Sequence, residues 1–135
     1  MTNPELVGVA ALLLRLSLGI MFYAHAWLKI KVFTPAGSAK YFESLGVPGW
    51  LAYATMAAEI AGGTLLILGI ETRWVALLLV PLILGTIVLV HGKNGWPFTN
   101  KDGGWEYPAF WAVGLVVLAL LGDGSAALGP MLGLN

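Results

Sequence analysis

Apolar residues run through this chain in long blocks separated by short polar intervals. Four blocks read as membrane-spanning helices: Glu5 to Lys31, Trp50 to Ile70, Trp74 to His91 and Tyr107 to Leu121. About 20 helical residues suffice for a hydrocarbon core of roughly 30 Å. The first block has length to spare for tilt, with Asn3 as an N-cap and Pro4 suited to the first turn. The fourth is short, about 22 Å of helix. It spans comfortably only if it begins near Trp105, which puts Glu106 inside the bilayer or at its rim. Between the first two spans, Thr34-Pro35 signals a helix start and Ala39 to Leu45 is short and amphipathic. This segment reads as an interfacial helix closed by Gly46 and Pro48. Pro81 lies inside the third span, where neighbouring helices can satisfy the freed carbonyl. The loop after it carries Trp96, Phe98 and Trp105, aromatics suited to the membrane interface. The predicted fold is all-α: an integral membrane four-helix bundle with a short interfacial helix between spans one and two, forming one unit over residues 1–135.

The polar interruptions of these blocks are few. Arg15, Gly19, Phe22, His25, Ala26 and Lys29 fall in one stripe of the first span. An ionisable residue inside a bilayer is costly and is expected to face the bundle interior with a partner. Glu59 is the one charge in the second span, on a face with Ala52, Thr55, Gly62 and Gly63. Small residues allow close helix approach, so this is the predicted contact face. Arg15 lies about 15 Å below His25, and Glu59 about 15 Å below Gly49 on the returning helix. That depth matching predicts a buried Arg15–Glu59 pair. A second cluster is expected at the opposite end, from His25, Lys29, His91, Glu106 and Tyr107, with Trp27, Tyr53 and Trp105 as walls.

Composition narrows the class. Charged residues make up 10% of the chain and hydrophobic residues 59%, against about 25% charged in soluble domains. There is too little polar surface to cover a soluble globule. Net charge is zero, which argues against nucleic acid as a partner. The absence of Cys removes thiol redox chemistry, thiolate metal sites and Cys-held iron–sulfur clusters. The opening "MTNPELVG" has no basic region and reads as the start of the first span rather than a removable signal. Lys31, Lys40, Lys93 and Lys101 lie on the face of the two long loops, and Arg73 alone on the other. Positive-inside bias then places those loops in the cytoplasm and both termini outside. A faint duplication pairs Gly19-x5-His25 and Lys29 with Gly85-x5-His91 and Lys93, and Gly49-Trp50 with Gly104-Trp105. Such a duplication relates the halves about an axis along the membrane normal.

The ordered set "LLRLSLGIMFYAHAWLK", "YFESLGVP", "AAEIAGGTLLILG", "ETRWVALLL", "VLVHGKNGW" and "EYP" resembles the DoxX family of small prokaryotic four-helix membrane proteins over nearly the whole chain. Ala26 stands where the family commonly has Gly, and "NGWPF" where it often has Gly followed by two aromatics. The resemblance implies a place in the prokaryotic inner membrane and in respiratory or redox complexes. The family's name-bearing members are the small subunit of a thiosulfate:quinone oxidoreductase.

Two His, a Glu and a Tyr beside an apolar interior suit a quinone head group. Its carbonyls need hydrogen-bond donors and its reduction needs protons. The expected catalytic groups are His25, Glu59, His91 and Glu106. Arg15, His25, Lys29, Tyr53, His91 and Tyr107 are the expected quinone-binding groups. Expected partners are membrane lipid, an isoprenoid quinone and other oxidoreductase subunits, with homo-oligomerisation open. A metal triad of His25, His91 and Glu106, or a bis-His haem, has no supporting ligand spacing, so no metal is expected. The rival reading is a structural or assembly subunit whose polar pairs serve helix contacts alone. A small transporter has thinner support in Pro81 and the Gly62-Gly63 pair.

Overall fold

The structure is a computed structural model and describes residues 3–134. Met1, Thr2 and Asn135, and with them the opening and closing residues of the expected termini, lie outside the described residues. The described residues form helices and no strands, and the elements are α1 (Pro4–Trp27), α2 (Pro35–Ser44), α3 (Trp50–Leu68), α4 (Thr72–Thr86), α5 (Glu106–Leu121) and a one-turn α6 (Leu128–Met131). Asn3 caps α1 by accepting from the Glu5 amide at 2.9 Å. Thr34 caps α2 by accepting from Gly37, with Pro35 in the first turn.

Two helices do not stop where their α-helical bonding does. α1 continues through a π turn at Leu28–Val32, and α4 through one at Ile87–His91 followed by a short 3-10 turn at Gly92–Asn94. With these extensions the three long apolar helices run Pro4–Val32, Trp50–Leu68 and Thr72–Asn94, each long and apolar enough to cross a membrane. α5 has 16 residues, about 24 Å of helix. It begins at Glu106, as the short fourth span required, directly after the loop in which Trp96 and Trp105 meet edge to face at 4.5 Å.

α1 packs chiefly on α3 and α4 chiefly on α5, while thinner α3–α4 and α1–α5 contacts close the ring. The core is a continuous cluster that includes Leu18, Phe22, Leu66, Leu79, Ile83, Trp111 and Leu115. The two glycines of α3 serve different neighbours. A side chain at Gly63 would meet the Gly19 carbonyl of α1, and one at Gly62 would meet Leu79 of α4. Large apolar residues such as Leu13, Ile20, Leu78, Val88, Phe110 and Leu120 point outward and are exposed, as a lipid-facing surface requires. The protein is a membrane helical bundle.

The close approach of Gly19 and Gly63 sets the antiparallel register of α1 and α3. On it Arg15 lies level with residue 67 and Glu59 with residue 23, about 12 Å apart along the axis. The predicted Arg15–Glu59 pair therefore does not form. Arg15, 1% exposed, donates to the carbonyls of Leu66 at 3.1 Å, Ile67 at 3.0 Å, and Ala126. Its guanidinium takes up carbonyls at the end of α3, of which Leu66 also accepts from the Gly69 amide at 3.2 Å, and ties the C-terminal segment to them. The depth estimate failed because α1 runs on through its π turn, so α3 begins further beyond His25 than a single turn.

Polar groups at this end of the bundle serve helix ends. The Asp123 carboxylate accepts from the Thr72 amide at 3.0 Å and caps α4. Arg73 donates to the Ala119 carbonyl of α5 at 2.8 Å. Gly129 donates to the Gly69 carbonyl at 2.8 Å, holding α6 against the α3–α4 turn.

Candidate functional site

The other end of the bundle is hollow. A cavity of about 1020 Å³ lies in the thin seam between α3 and α4, with α2 forming one wall. Its polar lining comes from every long element: His25 and Lys29 from α1, Thr55 and Glu59 from α3, His91 from the end of α4, and Tyr107 and Trp111 from α5. Its apolar lining includes Phe42, Leu51, Pro81, Ile83 and Leu89. Phe33, Tyr41 and Leu89 line it yet stay exposed, so it reaches the surface. Pro81 lines this space, inside α4, where it removes one N–H from the helical ladder.

The charge at its floor is Glu59. Lys29 donates to Glu59 Oε1 at 2.7 Å, a charge-assisted bond at the short end of its range. Lys29 reaches down from its π turn, whose irregular bonding is itself stabilised by α2: the buried Ser38 hydroxyl donates to the Lys29 carbonyl at 3.0 Å. The second Glu59 oxygen, Oε2, is buried and has no hydrogen-bond partner within the protein. Trp111 is in the same condition, 4% exposed with its Nε1–H unpaired. A carboxylate oxygen and an indole N–H are thus buried without partners on two residues that line one cavity, and their needs are complementary, one for a donor and one for an acceptor.

Above them stands an aromatic group. His25 lies between Trp111, with ring centroids 4.8 Å apart, and Tyr107, at 6.4 Å and nearly parallel. Tyr107 also meets His91 edge-on, and the Tyr107 hydroxyl is 2.9 Å from His91 Nε2. His91 Nδ1 is 2.9 Å from the Gly103 carbonyl, which also accepts from Asn94 at 2.9 Å. A carbonyl only accepts, so the neutral imidazole carries its proton on Nδ1. Nε2 is then an acceptor, and the Tyr107 hydroxyl donates to it. The Gly103 carbonyl is held by a compact loop in which Trp105 donates to Gly95, Glu106 to Trp96 and Gly104 to Pro97.

Of the residues expected at the site, His25, Lys29, Glu59, His91 and Tyr107 come together in the cavity. Arg15 does not; it is engaged at the far end of α3. Tyr53 is 51% exposed on the outside of α3 and does not line the cavity. Glu106 opens α5 half-buried and outside the lining, where a carboxylate suits the helix N-terminus. A His25–His91–Glu106 metal triad is not assembled, and no group of three His or acidic side chains with metal-holding geometry occurs among the described residues. Trp27 and Trp105 do not line the cavity. The wall is instead Trp111, which the sequence offered as the residue one turn beyond Tyr107 on the same helix face.

Comparison with known proteins agrees with this architecture. The DoxX family model matches residues 10–92. "Putative oxidoreductase CatD" of Bacillus subtilis (strain 168) is 33% identical over 90% of this chain and 86% of its own length. Two proteins of Escherichia coli (strain K12) are also similar. "Inner membrane protein YphA" is 30% identical over 89% of this chain and 88% of its own length, and "Inner membrane protein YqjF" is 33% identical over 66% and 67%. No solved structure matches the chain. The family match spans Arg15, the Lys29–Glu59 pair and His91, and on it the chain belongs to the DoxX family.

Proposed function

We propose that this protein is a quinone-interacting membrane subunit of an oxidoreductase complex in the prokaryotic inner membrane. The observation that carries the reading is the pair of buried, unpartnered polar atoms in one apolar cavity, Glu59 Oε2 and Trp111 Nε1. A buried polar group left without a partner costs stability, and two on residues that line one cavity support a ligand whose ring oxygens accept and, once reduced, also donate. The cavity volume falls at the upper end of the range for small-molecule sites. It accommodates a quinone ring with the first part of an isoprenoid tail. The surface opening beside α2 and α4 offers the tail a way to lipid.

A bound quinone supplies a two-electron, two-proton couple. Trp111 donates to a ring oxygen, and Glu59 Oε2 exchanges a proton with the ligand. The Tyr107–His91 chain exchanges the second proton with the loop side, and His25 and Trp111 wall the ring. With no Cys and no nucleotide fingerprint in the chain, electrons pass to or from another subunit. The names of the relatives, an oxidoreductase and two inner membrane proteins, support the same setting. The lysine excess of the loop face favours a cytoplasmic position for the cavity mouth and an outer position for the termini.

Native mass spectrometry of the chain, solubilised gently from its own membrane, tests this. A bound isoprenoid quinone or quinol, lost or weakened in Trp111→Phe, is the expected result. A stable larger complex with no quinone on this chain would overturn it and favour an assembly subunit. That second reading has its own support in Arg15, whose bonds all serve the joining of chain segments.

A further inference from the structure

The hydrogen-bond chain around the cavity has a direction, and the direction bears on which redox form the site takes. Gly103 accepts from His91 Nδ1, so His91 Nε2 accepts from Tyr107. The only proton on the Tyr107 hydroxyl is thereby committed to His91, and its oxygen offers lone pairs. Glu59 Oε1 accepts from Lys29 at 2.7 Å, and its unpartnered Oε2 also offers lone pairs. Lys29 directs two of its three donors to Glu59 Oε1 and to the His25 carbonyl. Trp111 Nε1–H is the buried unpaired donor. The titratable groups lining the cavity are His25 and Lys29 from α1, Tyr41 from α2, Glu59 from α3, His91 at the end of α4, Lys93 and Asp102 in the loop, and Tyr107 on α5.

We propose, resting on the quinone reading above, that the cavity holds the reduced, hydroxyl-bearing form of its ligand, a quinol, in preference to the quinone. Both forms have ring oxygens that accept from Trp111. Only the quinol has hydroxyl groups that donate to Glu59 Oε2 and to Tyr107 Oη. A quinone carbonyl set against the Glu59 carboxylate places lone pair against lone pair, and leaves a buried charge with one oxygen unsatisfied. A quinol hydroxyl makes a charge-assisted bond there instead.

The test is binding to the intact chain in lipid nanodiscs, read by quenching of tryptophan fluorescence and by calorimetry. The probes are duroquinol under anaerobic conditions, duroquinone, and the dimethyl ether of duroquinol, which has the same ring without hydroxyl protons. Duroquinol is expected to bind at least about tenfold more tightly than either of the others, the ratio for roughly one charged hydrogen bond. Glu59→Gln presents an amide N–H to the ligand and should bring quinone and quinol within about threefold of each other. Tyr107→Phe keeps the ring and removes the second acceptor, so it should also lower the ratio if Glu59→Gln proves poorly folded. Thermal unfolding of each variant reports on folding independently. Equal affinity for the quinone and the quinol in the native protein, or a ratio unchanged in both folded variants, would overturn the preference while leaving the quinone site standing. Failure of all three probes to bind would overturn the reading of the site itself, and the preference with it.

Discussion

Glu59 is held by Lys29 across 2.7 Å, with side-chain exposures of 3% and 19%. The bond joins the π turn of α1 to the middle of α3, and it fixes one carboxylate oxygen while the other stays buried without a partner. A buried ion pair contributes little net stability, but loss of one partner leaves an uncompensated charge. Lys29→Met is therefore expected to destabilise the fold by about 3–5 kcal/mol. Lys29→Met combined with Glu59→Leu should recover most of that loss, because no charge remains buried. Thermal unfolding of the two single variants and the double variant closes the cycle. Additive losses in the double variant would show that the pair is not coupled.

Arg15 gives a different result because its partners are carbonyls rather than an acid. Its planar fork reaches Leu66, Ile67 and Ala126, and an ammonium cannot reproduce that spread. Arg15→Lys keeps the charge, yet it is expected to cost about 2–3 kcal/mol. The loss should appear as faster hydrogen exchange over residues 122–134, which Arg15 and Gly69 hold against the bundle. Quinone affinity should change by less than about twofold, one hydrogen bond's minimum worth. A large loss of affinity in a folded Arg15→Lys protein would return Arg15 to the binding site.

These two residues also show what the sequence could and could not convey. The stripe of α1 and the small face of α3 were legible because burial recurs at helical spacing, and Arg15, Gly19, Phe22, Ala26, Glu59, Gly62 and Gly63 are all buried. Their partners were not, because pairing across helices depends on register. Register was set by one glycine contact and by π turns at Leu28–Val32 and Ile87–His91, which leave no mark in the hydrophobic pattern. An offset of about two turns puts Arg15 out of reach of Glu59, and Lys29 reaches it instead. Glu106 and Tyr107 are neighbours in sequence, but a helix turns about 100° per residue, so Tyr107 lines the cavity and Glu106 does not.

Gly104 tests whether the far loop supports the site. A methyl group there would overlap the carbonyl oxygens of Gly95, Trp96 and Pro97, all backbone and unable to yield cheaply. Gly104→Ala should cost about 1–3 kcal/mol through overpacking and displace the Gly103 carbonyl from His91. Nitrogen-15 spectra of the His91 ring should then change from a fixed Nδ1–H form to a mixture of tautomers. Glu106→Gln, in the same loop junction but outside the cavity, should leave that signature and quinone affinity unchanged. An unaltered His91 spectrum in Gly104→Ala would show that the loop does not set the tautomer.

Trp111 separates stability from function most sharply. Its indole packs against Phe22 at 4.7 Å and His25 at 4.8 Å, while its N–H is buried without an acceptor. Phe keeps most of the ring contact and removes the unsatisfied donor, whose burial costs about 1–3 kcal/mol. It also leaves a small void where the larger ring stood, at a comparable cost. Trp111→Phe should consequently unfold at nearly the same temperature as the native protein when no ligand is added. With ligand present the two should part. The native protein gains stability with rising ligand concentration, and the variant should need about tenfold more ligand for the same gain, since it lacks the bond to the ring oxygen. A donor kept buried for structural reasons would give the opposite pattern, with the same response to ligand in both proteins. Parallel melting curves over a ligand titration distinguish the two, and a parallel response would remove Trp111 from the site.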